Sequence, residues 1–303
     1  MVGFMQDLEY IFAHGSGNKF VLIDAVEQSV ECGTRGDAAA QFVREVCERF
    51  QSDGLLFVEK VEINCKCESF YAMNMYNTDG TQAEMCGNGM RIVARYVYER
   101  YFDSAKDKFT LFSGGGLYPI SVVDDDEMSH GKSYGVEIAI RKNSADFTLS
   151  NTEFVDQVIE ELHPTLRFTY LNLGNPHVVA VVDDVCGADD VDLELLSELG
   201  ERVKGLKTIF PNGVNVSFLA KVKGKEQTIF VATYERGVGL TPSCGTAMTA
   251  SSSAAALLGL CEWDKLIRVE NRGGFVNTIC HNCCGELRTE LIGDAVYIEE
   301  GRL

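Results

Sequence analysis

Along this 303-residue chain, apolar and polar positions alternate in short runs far more often than they repeat with a helical period. Strand-like runs stand at 9–13 and 19–24, joined by His14-Gly15-Ser16-Gly17-Asn18, and again at 55–59, 68–76, 108–112, 117–123 and 136–140. Between them an amphipathic helix is predicted over 36–50, with Phe42, Val43, Val46, Cys47 and Phe50 on one face. A half-buried helix is predicted after Cys86, where Met90, Val93, Ala94, Val97 and Tyr98 recur at helical spacing. The polar run from Asp124 to Lys132 reads as a surface loop. The recipe then repeats. A helix is expected over 153–162, with Val155, Val158, Ile159 and Leu162 on one face. Strands follow at 167–173 and 178–182, a helix near 191–199, a strand introduced by the run from Asn212 to Phe218, and another over Thr228–Thr233. A run rich in Ala and Ser over Ala247–Leu260 predicts a helix enclosed on all sides by a curled sheet, and strands fill the chain up to Tyr297-Ile298.

Many strands and few helices, twice over, suit an α+β fold of two similar domains facing each other across a cleft. The expected boundaries are 1–140, completed by the last strand at about 295–303, and 141–294. In each half the principal helix follows a cysteine: Cys86-Gly87-Asn88-Gly89 in the first, Cys244-Gly245-Thr246 in the second. The N–H groups of a helix's first turn bind anions, and its positive end lowers the pKa of a nearby thiol. Gly87 and Gly89 leave the approach open to a carboxylate. Two such thiols on opposite faces of one carbon are what inversion of a stereocentre requires, one removing a proton and the other supplying one.

Composition narrows the partners. A net charge of −18 argues against nucleic acid, and no run of about eighteen apolar residues offers a membrane span. The N-terminus lacks a secretory layout, and eleven cysteines with no signal segment point to the reducing cytoplasm. Cys65-Lys66-Cys67 and Cys280-His281-Asn282-Cys283-Cys284 are poor matches to zinc spacing, so no metal is expected, and Cys32, Cys47, Cys186 and Cys261 read as packing. Arg91 reads as structural.

Five motifs in order carry a resemblance: His14 to Phe20, Asn77 to Arg91, Gly174-Asn175-Pro176-His177, Asn215 to Phe218, and Glu235 to Gly239 with Cys244-Gly245-Thr246. The chain resembles the diaminopimelate epimerase family over nearly its whole length. The resemblance implies two pseudo-symmetric domains, each a strongly curled, mostly antiparallel sheet around a central helix, with the active site in the interdomain cleft. It implies a cofactor-independent isomerase that converts LL-diaminopimelate to meso-diaminopimelate for lysine and peptidoglycan precursors, with Cys86 and Cys244 as the acid/base pair. Backbone N–H groups of Gly87, Asn88, Gly245 and Thr246 would hold the reacting carboxylate. Asn77, Asn175, Asn215 and Arg236 would bind the far end, Glu235 and Asn18 would face amino groups, and His177 would support the cysteine region. The partner is a small amino acid, with no nucleic acid and no membrane; a homodimer stays open. Gly54 and Leu240 depart from the family pattern, as do Lys19 and Ala247, which leaves a racemase of another amino acid such as histidine as an alternative. A thiol-redox or metal-binding protein is the reading from a different class.

Overall fold

The computed structural model describes residues 7–28, 37–63, 68–83, 85–102, 104–114, 116–127, 130–140, 147–148 and 154–303. Cys32, Cys65 and Cys67 lie outside them. The chain separates into two compact units, Met1–Val136 with Gly293–Leu303, and Glu137–Ile292.

In the first unit β1 (Glu9–Gly15) and β2 (Asn18–Asp24) form a hairpin with Gly15 opposite Asn18. Its two turn residues, Ser16 and Gly17, both have positive φ (51° and 81°), the turn that matches the twist of paired strands. Helix α1 (Asp37–Phe50) carries the chain to β3 (Gly54–Ile63), which lies parallel to β2 as such a crossover requires. β4 (Glu68–Asn77) returns antiparallel to β3, and a short β5 (Gln82–Ala83) leads to helix α2 (Gly87–Tyr101). β6 (Lys108–Ser113) is parallel to β4, and β7 (Gly116–Asp124) and β8 (Lys132–Ala139) continue antiparallel. The chain's final strand, β18 (Val296–Arg302), pairs with β1.

The second unit repeats this ladder. β9 (Gln157–Val158) flanks β10 (Arg167–Asn172) as β18 flanks β1. β10 and β11 (Pro176–Val181) are antiparallel, α3 (Leu193–Val203) crosses over, and β12 (Asn215–Lys221) is parallel to β11. β13 (Thr228–Glu235) and β14 (Gly239–Thr241) lead to helix α4 (Gly245–Leu257). β15 (Leu266–Asn271) is parallel to β13, followed antiparallel by β16 (Gly274–Cys283) and β17 (Glu286–Gly293).

Burial explains the layering. Val21–Ile23 and Leu55–Val58 are buried on both strand faces, because α1 covers one side of the sheet and α2 fills the other. Val43, Val46 and Cys47 pack with Val21, Ile23, Leu55 and Phe57, as the spacing of α1 predicts. In the second unit Leu196, Leu199 and Val203 of α3 pack with Val216 and Phe218. Helix α4 is enclosed from Gly245 to Ala256, and its Ser252 and Ser253 hydroxyls are satisfied by the Met248 and Thr249 carbonyls one turn back. Small side chains let the sheet close around it.

Two expectations are corrected. The described part of 153–162 is not helical: Gln157–Val158 pairs with Arg167 and Phe168, and a single turn places Leu162 N–H and His163 N–H on the Ile159 carbonyl. One tight turn brings residues three and four apart together as a helix does, so Ile159 and Leu162 mimic helical spacing. Helix α2 is not half-buried in its first turns; every residue from Gly87 to Ala94 is buried.

Candidate active site

The registers put the sequence-predicted residues in corresponding rows. Val21, Leu55 and Tyr76 are cross-strand neighbours in the first unit, as Val178, Val216 and Tyr234 are in the second. One residue toward the same sheet end gives Phe20, Gly54 and Asn77 against His177, Asn215 and Glu235. Two further along the first strand give Asn18 against Asn175.

In the first unit Cys86 is the N-cap of α2, with extended backbone and its Sγ accepting from the Gly89 N–H (3.5 Å). Asn88 is buried; its Nδ2 donates to Asn18 Oδ1 (3.4 Å), and Asn18 Nδ2 donates to Asp53 (2.7 Å). Asn77 Nδ2 donates to the Thr81 hydroxyl (3.0 Å), closing the turn before β5. Gly54 has no room for a side chain: a Cβ there would lie 2.7 Å from the Tyr76 carbonyl and 3.1 Å from the Phe20 ring. Aromatic packing therefore fills the place that a side chain at this departure from the family pattern would take.

Arg91, one turn into α2, is completely buried. Its Nε donates to the Asp294 carbonyl (3.1 Å), and its Nη2 to Ser16 Oγ (2.8 Å) and Asn88 Oδ1 (2.9 Å). Asp294 in turn accepts from the Ser16 N–H (2.7 Å), which holds the strained hairpin turn. Sequence reasoning missed Asp294, because nothing local marks a residue about two hundred positions from the helix it completes. Burial lowers the Arg91 pKa, while Asp294 and the Cys86 thiol oppose that shift.

In the second unit Cys244 is the N-cap of α4 in nearly the same backbone conformation. Its Sγ lies 3.5 Å from the Thr246 hydroxyl, which accepts from Asn175 Nδ2 (3.1 Å). His177 is fully buried and its pKa is depressed to about 3, first by burial and then by Arg236. With the ring neutral, its Nε2–H donates to Asn175 Oδ1 (3.2 Å), the shorter of its contacts; Asn215 Nδ2 lies at 3.5 Å. Asn215 Oδ1 accepts from the Arg236 N–H (2.8 Å). Hydrogen bonds thus tie His177 through Asn175 to Thr246 beside Cys244, and Asn215 separately to the Arg236 backbone. The Arg236 side chain is exposed, with Nη1 on the Asn212 carbonyl (2.7 Å), and Glu235 accepts from the Thr241 hydroxyl (2.6 Å).

The helix end does not lower the Cys244 pKa overall. Burial raises it well above the ordinary thiol value and Glu235 adds to this, against the Thr246 hydroxyl and the Ala247 N–H. Leu240 sits exposed on β14. Cys280 is buried against Thr289, while Cys283 and Cys284 are exposed at the β16–β17 turn. Among the described residues no group of three or more His, Cys, Asp or Glu side chains is placed to hold a metal ion, and no helix is long and apolar enough to cross a membrane.

Comparison with known proteins follows the same division. Residues 10–136 and 169–298 match the family described as diaminopimelate epimerase. The chain is 36% identical to a diaminopimelate epimerase of Clostridium acetobutylicum, covering 99% of this chain and 86% of that one. It is 34% identical to one of Enterococcus faecalis, covering 96% and 88%. Among solved structures it resembles a PhzF-family phenazine biosynthesis protein of Bacillus anthracis (TM-score 0.68, 16% identity, 99% of both chains). It also resembles a hydroxyproline epimerase of Agrobacterium vitis (TM-score 0.64, 12% identity, 98% and 91%). At those identities the likeness shows the fold alone, a pseudo-symmetric pair of sheet-and-helix units.

Proposed function

The chain belongs to the diaminopimelate epimerase family, and from that premise we propose that it inverts the α-carbon of free diaminopimelate, LL to meso, with Cys86 and Cys244 as the two proton-transfer groups and no cofactor. The observation that carries this reading is the match between the half-sites: each cysteine caps the enclosed helix of its unit, at the same place in the same strand ladder.

An α-proton of an amino acid is weakly acidic, so the developing carbanion needs stabilisation at the carboxylate. The first N–H groups of α2, at Gly87 and Asn88, and of α4, at Gly245 and Thr246, are preorganised donors for that charge. Cys244 rests as the protonated thiol, because burial and Glu235 disfavour its thiolate. Cys86 then removes the proton while Cys244 delivers one to the opposite face, and the roles exchange in the reverse direction. His177 is neutral and buried, so it holds Asn175 and through it Thr246; it does not transfer the proton. Arg236 captures the distal carboxylate with the rest of its fork, and Glu235 offers a carboxylate to an amino group. Asn77, Asn175 and Asn215 bind the far end of the substrate, and Asn18 faces an amino group. The enzyme acts in the cytoplasm on a small-molecule substrate.

The test is a substrate panel in heavy water containing LL- and meso-diaminopimelate, histidine and hydroxyproline. Deuterium at the α-carbon of diaminopimelate alone is the expected result. Turnover of histidine instead would move the substrate assignment, the outcome to which Gly54 and Leu240 would then point. Exchange with none of them would end the epimerase reading.

A further inference from the structure

Arg91 is a buried cation that the proton-transfer scheme leaves unused. Its three described hydrogen bonds go to neutral acceptors: a carbonyl, a hydroxyl and an amide oxygen. Its Nη1 has no hydrogen-bond partner among the described residues. A guanidinium keeps its proton even where burial opposes it, so the charge persists. The fold makes deliberate room for it. A Cβ at Gly15 would come within 3.3 Å of Nη2, and one at Gly293 within 3.2 Å of Nε, so β1 and the start of the C-terminal segment flank the group with bare backbone.

The direction of the side chain decides what this charge acts on. Helical side chains lean toward the N-terminus, and here the guanidinium reaches back to Asn88, two residues after Cys86. It therefore lies beside the turn whose N–H groups face Cys86. We infer that Arg91 is a positioning residue that supplies fixed positive charge to the first turn of α2, holding Cys86 in its thiolate form. The counter-charge that faces it is Asp294, bonded to Ser16; the titratable groups beyond are His14, 3.9 Å from Asp294, and Asp53, further off through Asn18. The position five residues after Cys244 holds Thr249, whose hydroxyl bonds back to the Gly245 carbonyl, so that position in the second unit carries no charge.

This inference rests on the reading of Cys86 as a proton-transfer group, but its test does not depend on turnover. The rate of Cys86 alkylation by iodoacetamide is followed against pH, by mass spectrometry of its peptide, in the wild type, Arg91→Met, Arg91→Lys and Asp294→Asn. Arg91→Met should slow alkylation at neutral pH about tenfold and move its midpoint up, as loss of a nearby opposite charge does. Arg91→Lys should recover part of the effect. Asp294→Asn, which keeps an acceptor for Ser16 but removes the opposing charge, should move the midpoint down. That opposite sign keeps the idea testable should the Arg91 variants not fold. A midpoint unmoved by Asp294→Asn and by any Arg91 variant that folds would overturn it. An active Cys86→Ala enzyme would instead remove the underlying reading.

Discussion

The two units share one ladder of strands but differ in what they place at its functional end. In the first the row reads Asn18, Phe20, Gly54, Asn77, with an aromatic ring packed on a glycine and a buried cation behind the cysteine turn. In the second it reads Asn175, His177, Asn215, Glu235, polar throughout, with His177 bonded to Asn175, Asn175 to Thr246 beside Cys244, and Asn215 to the Arg236 N–H. Equal backbones therefore carry unequal electrostatics: fixed positive charge beside Cys86, and a carboxylate and burial around Cys244. A reaction that takes a proton from one face and returns one to the other gains from such a pair, since one group must start as base and the other as acid.

The comparison breaks most directly at the thiols. Cys86→Ala and Cys244→Ala should each lower inversion by about a thousandfold or more, the scale of a lost acid/base group, with kcat rather than KM carrying the loss. Full activity in either variant would mean that only one half-site does chemistry. Next comes an attempt to make the rows alike. Gly54→Asn copies Asn215 into the first unit, but its Cβ meets the Tyr76 carbonyl; unfolding in urea should show a loss of about 1–3 kcal/mol. Unchanged stability would show that packing does not impose the difference.

His177 sharpens the contrast through pH. Unfolded, a histidine binds its proton below about pH 6.5, whereas the folded His177 waits until about 3. The unfolded state thus binds more protons across that window, so the stability present above pH 6.5 is lost as pH falls. The loss is about 2 kcal/mol by pH 5. His177→Gln should flatten that part of the stability–pH curve, and a curve of unchanged slope would contradict the assignment. Phe20 gives the first unit no such dependence. The smallest effect expected is at Thr246→Val, which removes the hydroxyl beside Cys244. The activity should fall about tenfold, an amount typical of one hydrogen bond to a charged group, and Thr246→Ser should restore most of it. Equal defects in both variants would point to packing.

Much of this was legible in one dimension. Periodicity located α1 and α2 and most strands, because each of these buries a face against a layer whose spacing is written locally, while α4 was legible from its run of small residues. The turns after Cys86 and Cys244 were legible for the same reason: a cap and its helix are neighbours in sequence. The helix expected over 153–162 failed because a single buried turn reproduces helical spacing over a few residues. Arg91 was recognised as structural, yet its setting was invisible, since Ser16 and Asp294 reach it only through β1 and the chain's end.

Local pattern, then, determined the elements, the family motifs and the two cysteines that cap α2 and α4, all properties of contiguous residues. Tertiary structure decided which groups are charged and which are only held. It buried His177 into neutrality, raised the Cys244 pKa against the pull of its own helix, closed Gly54 with Phe20, and enclosed Arg91 beside Cys86. The reason is physical: ionisation depends on desolvation and on charges brought close by folding, and neither is a property of a residue's neighbours in sequence.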